Sequence, residues 1–313
     1  MSADATLAIS LDRVGKTYGR VKALSDVSLD VRTGEIFGFL GLNGAGKTTT
    51  IRILLDLVRP SAGQAFVFGM NCRTESLGVR ARVGYLPGEL GVYRDMTGEA
   101  TLALLARLGD RAVDTGRQRA LLDRFELSRS DLGRKLREYS TGMKRKLGLV
   151  QAFQSDAPLL ILDEPTDGLD PLMQEAVYEL LVETRRRGQT VFMSSHVLPE
   201  VERVCDRIGL LRRGGLVLVT STGDVRQLAG RNVRVLFRED VVRPDPATRW
   251  PDGCEVVALT ARLWSLRIRG PLGPMLTRLA SLPVEDLQIS EPHLEDVLRR
   301  YYADEPGAPE RAN

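Results

Sequence analysis

The sequence predicts an α/β protein with a mainly parallel sheet covered on both faces, followed by a smaller α+β module. Three observations carry this. The glycine-rich run Gly41-Leu42-Asn43-Gly44-Ala45-Gly46-Lys47-Thr48-Thr49 stands between an apolar strand-like segment, 35–40, and a stretch of helical apolar spacing, 49–57. Two continuous apolar runs, 159–162 and 189–193, are separated by an amphipathic helical stretch, the alternation that builds parallel sheets. The texture then changes near Thr220-Ser221-Thr222-Gly223, beyond which short strands dominate.

Taken in order, residues from about 7 to 35 alternate apolar and polar in short runs, with Gly15, Gly19 and Gly34 as turn signals, and read as a small antiparallel sheet. The strand at 35–40 leads into the glycine-rich loop and its helix. From Thr97 to about Gln154 the pattern is helical. Thr97 caps a helix bearing Leu102, Leu104, Leu105 and Leu108, a second amphipathic helix spans Arg119 to Leu127, and a third spans Thr141 to Phe153. A strand at 159–162 ends in Asp163-Glu164, a helix covers Met173 to Arg187, and a strand at 189–193 ends in Ser194-Ser195-His196. Further strands fall at 233–237, 255–259 and 263–268, then a short helix at 275–280 and a strand at 284–289. Leu294, Val297, Leu298, Tyr301 and Tyr302 form a helical stripe, and the tail from Asp304 reads as disordered. The expected domains are 7–220, with a helical subdomain at about 90–155, a C-terminal module at 221–303 and a tail at 304–313.

Composition limits the function. The 313 residues are 43% hydrophobic and 27% charged, a globular balance, and a net charge of +3 gives no reason to expect a nucleic-acid partner. Three scattered cysteines without a C-x-x-C pair support neither a disulfide framework nor a zinc site, and suit a reducing cytosol. The N-terminus lacks the pattern of a signal peptide, and no apolar run is long enough to span a bilayer. Any movement of cargo across a membrane would need a path supplied by another polypeptide.

The chemistry starts at the glycine-rich loop, which fits the phosphate-binding pattern G-x-x-x-x-G-K-[ST]. Such a loop wraps an anion in backbone N–H groups, and the following helix N-terminus adds positive potential. Lys47 would neutralise the β- and γ-phosphates, and the Thr48 hydroxyl would bind magnesium. A chance match on a glycine-rich turn would not come with a strand before it and a helix after it. Asp163 and Glu164 leave the strand end on different sides. Asp163 can hold magnesium through water, and Glu164 can polarise an attacking water as general base. Ser140-Thr141-Gly142, at a helix start, offers a second anion site, although such a sequence is also an ordinary helix cap. The loop, Glu164 and His196 all follow strand ends, where ligands bind in sheets of this kind.

Together these residues resemble the nucleotide-binding subunit of an ATP-binding cassette (ABC) transporter, over residues from about 7 to 220. The resemblance implies the P-loop ATPase fold of that family, ATP and magnesium as ligands, and ATP hydrolysis as the activity. It makes 41–49 the Walker A motif and 159–164 the Walker B motif. It makes Ser140-Thr141-Gly142 the signature, Gly168-Leu169-Asp170 the D-loop and His196 the switch histidine at the γ-phosphate. It places Tyr18, in Lys16-Thr17-Tyr18-Gly19, against the adenine. Leu42, Asn43, Gly44, Ala45, Gly46, Lys47, Thr48 and Thr49 would contact the nucleotide of one subunit, and Ser140, Thr141, Gly142 and Asp170 the composite site. It also implies a second copy or a related cassette placed head to tail, a membrane-spanning permease, and a position at the cytoplasmic face of the membrane. The layout, ending in Pro292-His293-Leu294-Glu295-Asp296-Val297-Leu298, is similar to the drug- and antibiotic-export branch. A soluble non-transport ATPase and a regulatory ATP-binding module stay open as alternatives.

Three motifs depart from the family pattern. The signature reads Tyr139-Ser140-Thr141-Gly142-Met143, with one glycine and the glutamine replaced while Ser140 and Gly142 are kept. Gly88, in Gly84-Tyr85-Leu86-Pro87-Gly88-Glu89, stands where the family has the Q-loop glutamine and offers no side chain to magnesium; Glu89 is the neighbouring candidate substitute. Leu42 replaces a common proline, with little expected effect because backbone N–H groups bind the phosphate.

Overall fold

A computed structural model of the chain describes residues 6–91, 94–108, 113–224, 231–241 and 250–290. It divides into two compact units, Met1–Thr220 and Ser221–Asn313. The stripe at 294–302, the segment 292–298 and the tail lie outside the described residues.

Two sheets organise the first unit. β1 (Leu7–Tyr18), β2 (Val21–Arg32), β4 (Ala62–Val67) and β5 (Met70–Asn71) form an antiparallel sheet in the order β2-β1-β4-β5. The other sheet runs β10-β9-β3-β8-β7-β6 and comprises β3 (Ile36–Leu40), β6 (Val83–Leu86), β7 (Leu159–Asp163), β8 (Thr190–Ser195), β9 (Arg207–Arg212) and β10 (Gly215–Ser221). Within it β3 pairs in parallel with β8 and β9, and β7 pairs in parallel with β6 and β8. Every residue of β3, β7 and β8 is buried, which is why these strands read as continuous apolar runs. Phe37 and Phe39 of β3 lie against Phe192 of β8, with ring centroids 5.9 and 5.3 Å apart. The same core takes in Ile9, Leu11 and Val31 of the antiparallel sheet.

The helices of this unit are α1 (Lys47–Leu54), α2 (Ser76–Arg80), α3 (Gly98–Leu108), α4 (Thr115–Arg124), α5 (Arg129–Leu132), α6 (Thr141–Phe153), α7 (Pro171–Arg186) and α8 (Leu198–Val204). Helix α6 has the bounds expected from its spacing. Helix α4 does not: expected at 119–127, it starts at Thr115, because the Asp114 carboxylate caps it by accepting from the N–H groups of Gly116 and Arg117. It ends at Arg124 because Glu126 turns left-handed, φ 54°, while Phe125 and Leu127 stay buried outside the helix. Helix α5, absent from the sequence expectations, is one turn held by a capping box between Ser128 and Asp131. Among the described residues no helix is long and apolar enough to cross a membrane.

Close packing at one glycine sets the position of α6. A Cβ on Gly84 of β6 would stand 2.3 Å from the Ala152 carbonyl oxygen and 2.6 Å from Leu160 Cδ2. The helix that begins at the signature thus rests directly on the strand that leads into the Gly88 loop.

In the second unit, β11 (Arg231–Phe237), β12 (Cys254–Leu259), β13 (Leu263–Ile268) and β14 (Val284–Ser290) form an antiparallel sheet, order β12-β13-β11-β14. Alternation puts Val233, Val235, Phe237, Trp264, Leu266 and Ile268 on one buried face, with Met275 and Leu279 of α9 (Gly273–Leu279). Trp264 packs edge-on against Phe237 and Trp250, at 4.8 and 5.6 Å between centroids.

Replacing Gly84 with alanine should destabilise the first unit by about 1–3 kcal/mol, the usual range for overpacking against groups that cannot yield. Urea unfolding followed by far-UV circular dichroism checks this, and a midpoint equal to wild type would contradict it.

Candidate active site

Strand register brings the expected residues together. Leu40 of β3 pairs with Ser195 of β8, and Asp163 of β7 with Ser194, so three adjacent strands end at one level. The glycine-rich loop, Glu164 and His196 follow from those ends.

The loop is held from behind. Gly214, in the turn between β9 and β10, donates its N–H to the Ala45 carbonyl at 3.0 Å, and its own carbonyl accepts from Ser25 N at 2.7 Å. At Gly46 φ is 113°, and a Cβ there would lie 2.7 Å from the Ala23 carbonyl oxygen, so only glycine serves. Gly46 is also the N-cap of α1. No side chain caps this helix, and its first turn carries no acidic residue. Its first-turn N–H groups are therefore available to an anion.

Lys47 is 5% exposed. Its Nζ donates to the Gly41 carbonyl at 2.6 Å and the Leu42 carbonyl at 3.4 Å, and pairs with Glu164 Oε1 at 3.2 Å. The other Glu164 oxygen lies 2.9 Å from His196 Nδ1. Glu164 adopts φ 52°, a left-handed conformation that costs a non-glycine residue about 1–3 kcal/mol. Its N–H donates to Ser194 Oγ at 3.0 Å, which fixes the backbone there.

Asp163 is buried, and both its oxygens are engaged: Thr48 Oγ1 donates to Oδ2 at 2.9 Å, and Ser194 Oγ donates to Oδ1 at 2.5 Å. A hydroxyl and a carboxylate at the head of α1 are hard oxygen donors of the kind magnesium takes alongside substrate phosphates. No cluster of three or more His, Cys, Asp or Glu that could hold a metal exists among the described residues.

The remaining predicted residues sit elsewhere. Ser140 is the N-cap of α6, accepting from Met143 N at 3.2 Å. Thr141 and Gly142 lie against Gly168: a Cβ on Gly142 would be 3.1 Å from the Gly168 carbonyl oxygen. The Asp170 carboxylate caps α7, accepting from Met173 N at 3.0 Å. Tyr18 ends β1, 45% exposed, with Lys16 Nζ 4.8 Å from its ring centre. Leu42 and Asn43 are exposed at the tip of the loop.

Sequence reasoning missed three residues. Ser194 orients Asp163 and Glu164 together. Glu200 of α8, largely buried, accepts from Thr166 Oγ1 at 2.7 Å and Ser195 Oγ at 3.0 Å, joining the segments that carry Glu164 and His196. Burial, with the Glu200 carboxylate nearby, raises the pKa of the Tyr178 phenol above its ordinary value. Arg145 of α6 is buried among carbonyls beside Asp163; burial lowers its pKa, opposed by Asp167, Asp163 and Glu164. One signal was available for it: Arg145 shares a helical stripe with Gly148, Leu149 and Ala152, all buried.

The ABC transporter family model matches residues 24–167. An uncharacterised ABC transporter ATP-binding protein of Nostoc sp. is 41% identical over 214 residues, covering 67% of this chain and 62% of that protein. The chain thus spans less than two thirds of that relative. The daunorubicin resistance ATP-binding protein DrrA3 of Streptomyces coeruleorubidus is 36% identical over 239 residues, 75% of each chain. A solved ATP-binding subunit of an ABC transporter is 31% identical, with a TM-score of 0.65 over 71% of this chain and 93% of that one. The chain belongs to the ABC transporter family and carries its ATP-binding domain, with DrrA3 among the relatives it resembles.

Proposed function

We propose that this chain hydrolyses ATP with the residues gathered at the ends of β3, β7 and β8, and that it drives export of a drug-like or antibiotic-like cargo through a separate membrane permease. The observation that carries the reading is the contiguous line Lys47–Glu164–His196 beside the Thr48–Asp163 pair.

The chemistry follows from those contacts. Phosphate oxygens arriving at the loop take the first-turn N–H groups of α1 and the Lys47 ammonium. Lys47 then exchanges its Gly41, Leu42 and Glu164 partners for phosphate. The Glu164 carboxylate is released from the lysine and can face a water on the open side of the γ-phosphate. His196 holds the opposite Glu164 oxygen and stands next to the position of the transferred group. Thr48 and Asp163 would hold magnesium, which would supply positive charge against the phosphates. Tyr18 would pack on the adenine.

The chain has one phosphate loop and one signature, and Ser140, Thr141 and Gly142 rest on the Gly168 turn. The complete site then needs a second copy, or a related cassette, whose Ser140 and Gly142 meet the γ-phosphate. ATP closes the pair and hydrolysis reopens it. Such a pair would sit on the cytoplasmic face of the membrane against its permease.

Glu164→Gln should keep ATP binding and lower turnover by about 10²–10⁴-fold, as expected for loss of a general base. Phosphate release measured on the purified subunit tests this, and unchanged turnover would take Glu164 out of the role. Asp163→Asn should raise the magnesium concentration needed for half-maximal ATP binding, read by titration with a fluorescent ATP analogue. Affinity purification from detergent-solubilised host membranes should recover a multi-spanning protein in stoichiometric amount; recovery with ribosomes, or alone, would refute the transport reading.

A further inference from the structure

Arg145 occupies a position that the active-site account leaves unexplained. It lies on the buried side of α6, the helix that starts at Ser140, and is 8% exposed. Each of its hydrogen bonds among the described residues ends on a main-chain carbonyl. Nη1 donates to Pro87 at 2.9 Å and to Asp163 at 3.3 Å, Nη2 donates to Gly88 at 2.9 Å, and Nε donates to Asp167 at 3.3 Å. One planar group thus joins the loop after β6, the end of β7 and the turn before Asp170 to the signature helix.

Two features make this more than a packing contact. A guanidinium is buried at acceptable cost only where its N–H groups are matched, and here they meet four carbonyls in three segments, a directional link that an apolar side chain would not supply. The second is Gly88. A Cβ there would stand 3.2 Å from Asp163 Oδ2, so position 88 faces the carboxylate beside Thr48 but sends no side chain to it. At position 88 the loop after β6 meets the site through its backbone alone, and Arg145 holds that backbone.

We propose that Arg145 is a positioning residue: it couples the Pro87-Gly88 loop and the Asp163–Asp167 segment to the signature helix, so that nucleotide binding at the P-loop is felt at all three. The proposal rests on the nucleotide-site reading above. A lysine cannot substitute, because an ammonium is a point donor while the guanidinium is a rigid fork matched to several acceptors.

Hydrogen–deuterium exchange on the full chain, with and without magnesium-ATP, tests it in wild type, Arg145→Lys and Arg145→Met. In wild type, ATP should slow exchange in segments 41–49, 84–90 and 140–148. In both variants the response should persist at 41–49 and be lost at 84–90 and 140–148. The KM for ATP should stay within about 2-fold while kcat falls by about 10–100-fold, the scale of a misplacement near 1 Å. Wild-type responses at 84–90 and 140–148 in Arg145→Lys would overturn the proposal, as would equal losses of KM, kcat and melting temperature in that variant, which mark a strut of the fold. Absence of any ATP response at 41–49 in wild type would instead remove the nucleotide-site reading, and this proposal with it.

Discussion

Parallel pairing of β3, β8 and β7 is the constraint from which the site follows. Leu40 stands beside Ser195, and Asp163 beside Ser194, so the chain leaves three strands at one height and the side chains that follow converge. A one-residue slip would turn Asp163 to the other face and separate it from Thr48. The core guards against slippage. The rings of Phe37, Phe39 and Phe192 interlock across β3 and β8, and every residue of the three strands is buried, so each alternative register would expose apolar surface or create voids.

Charge is balanced locally within this frame. A buried lysine needs partners, and Lys47 finds two carbonyls and a carboxylate. Glu164 also meets His196, at the cost of a left-handed backbone that its N–H bond to Ser194 helps to hold. These partners are the ones a phosphate would replace. The Lys47 contacts thus balance a buried charge and hold one Glu164 oxygen beside the ammonium.

How much of this was legible depends on where the determining contact lies. Strands buried on both faces read plainly, because their apolar runs are continuous. Lys47, Thr48, Asp163, Glu164 and His196 were legible because each sits in or beside a motif at a strand end. The start of α4 was misjudged because an aspartate cap, not apolar spacing, sets it. Ser194, Glu200 and Arg145 stayed hidden for another reason. Ser194 reaches Asp163 and Glu164 across the sheet, Glu200 reaches Thr166 in another segment, and Arg145 reaches the Pro87 and Gly88 carbonyls, so these partners cannot be read from the neighbouring sequence. Gly88 shows the converse. Its departure from the family pattern was visible at once, but its meaning emerged only from the guanidinium that grips its carbonyl.

The turn at Arg213-Gly214 has a consequence for how the molecule meets its ligand. Because it holds the Ala45 carbonyl from behind, part of the loop's backbone is fixed by the fold itself, and less ordering entropy is left for an anion's arrival. Association can then run at a rate set by diffusion and charge, with no wait for a loop to fold.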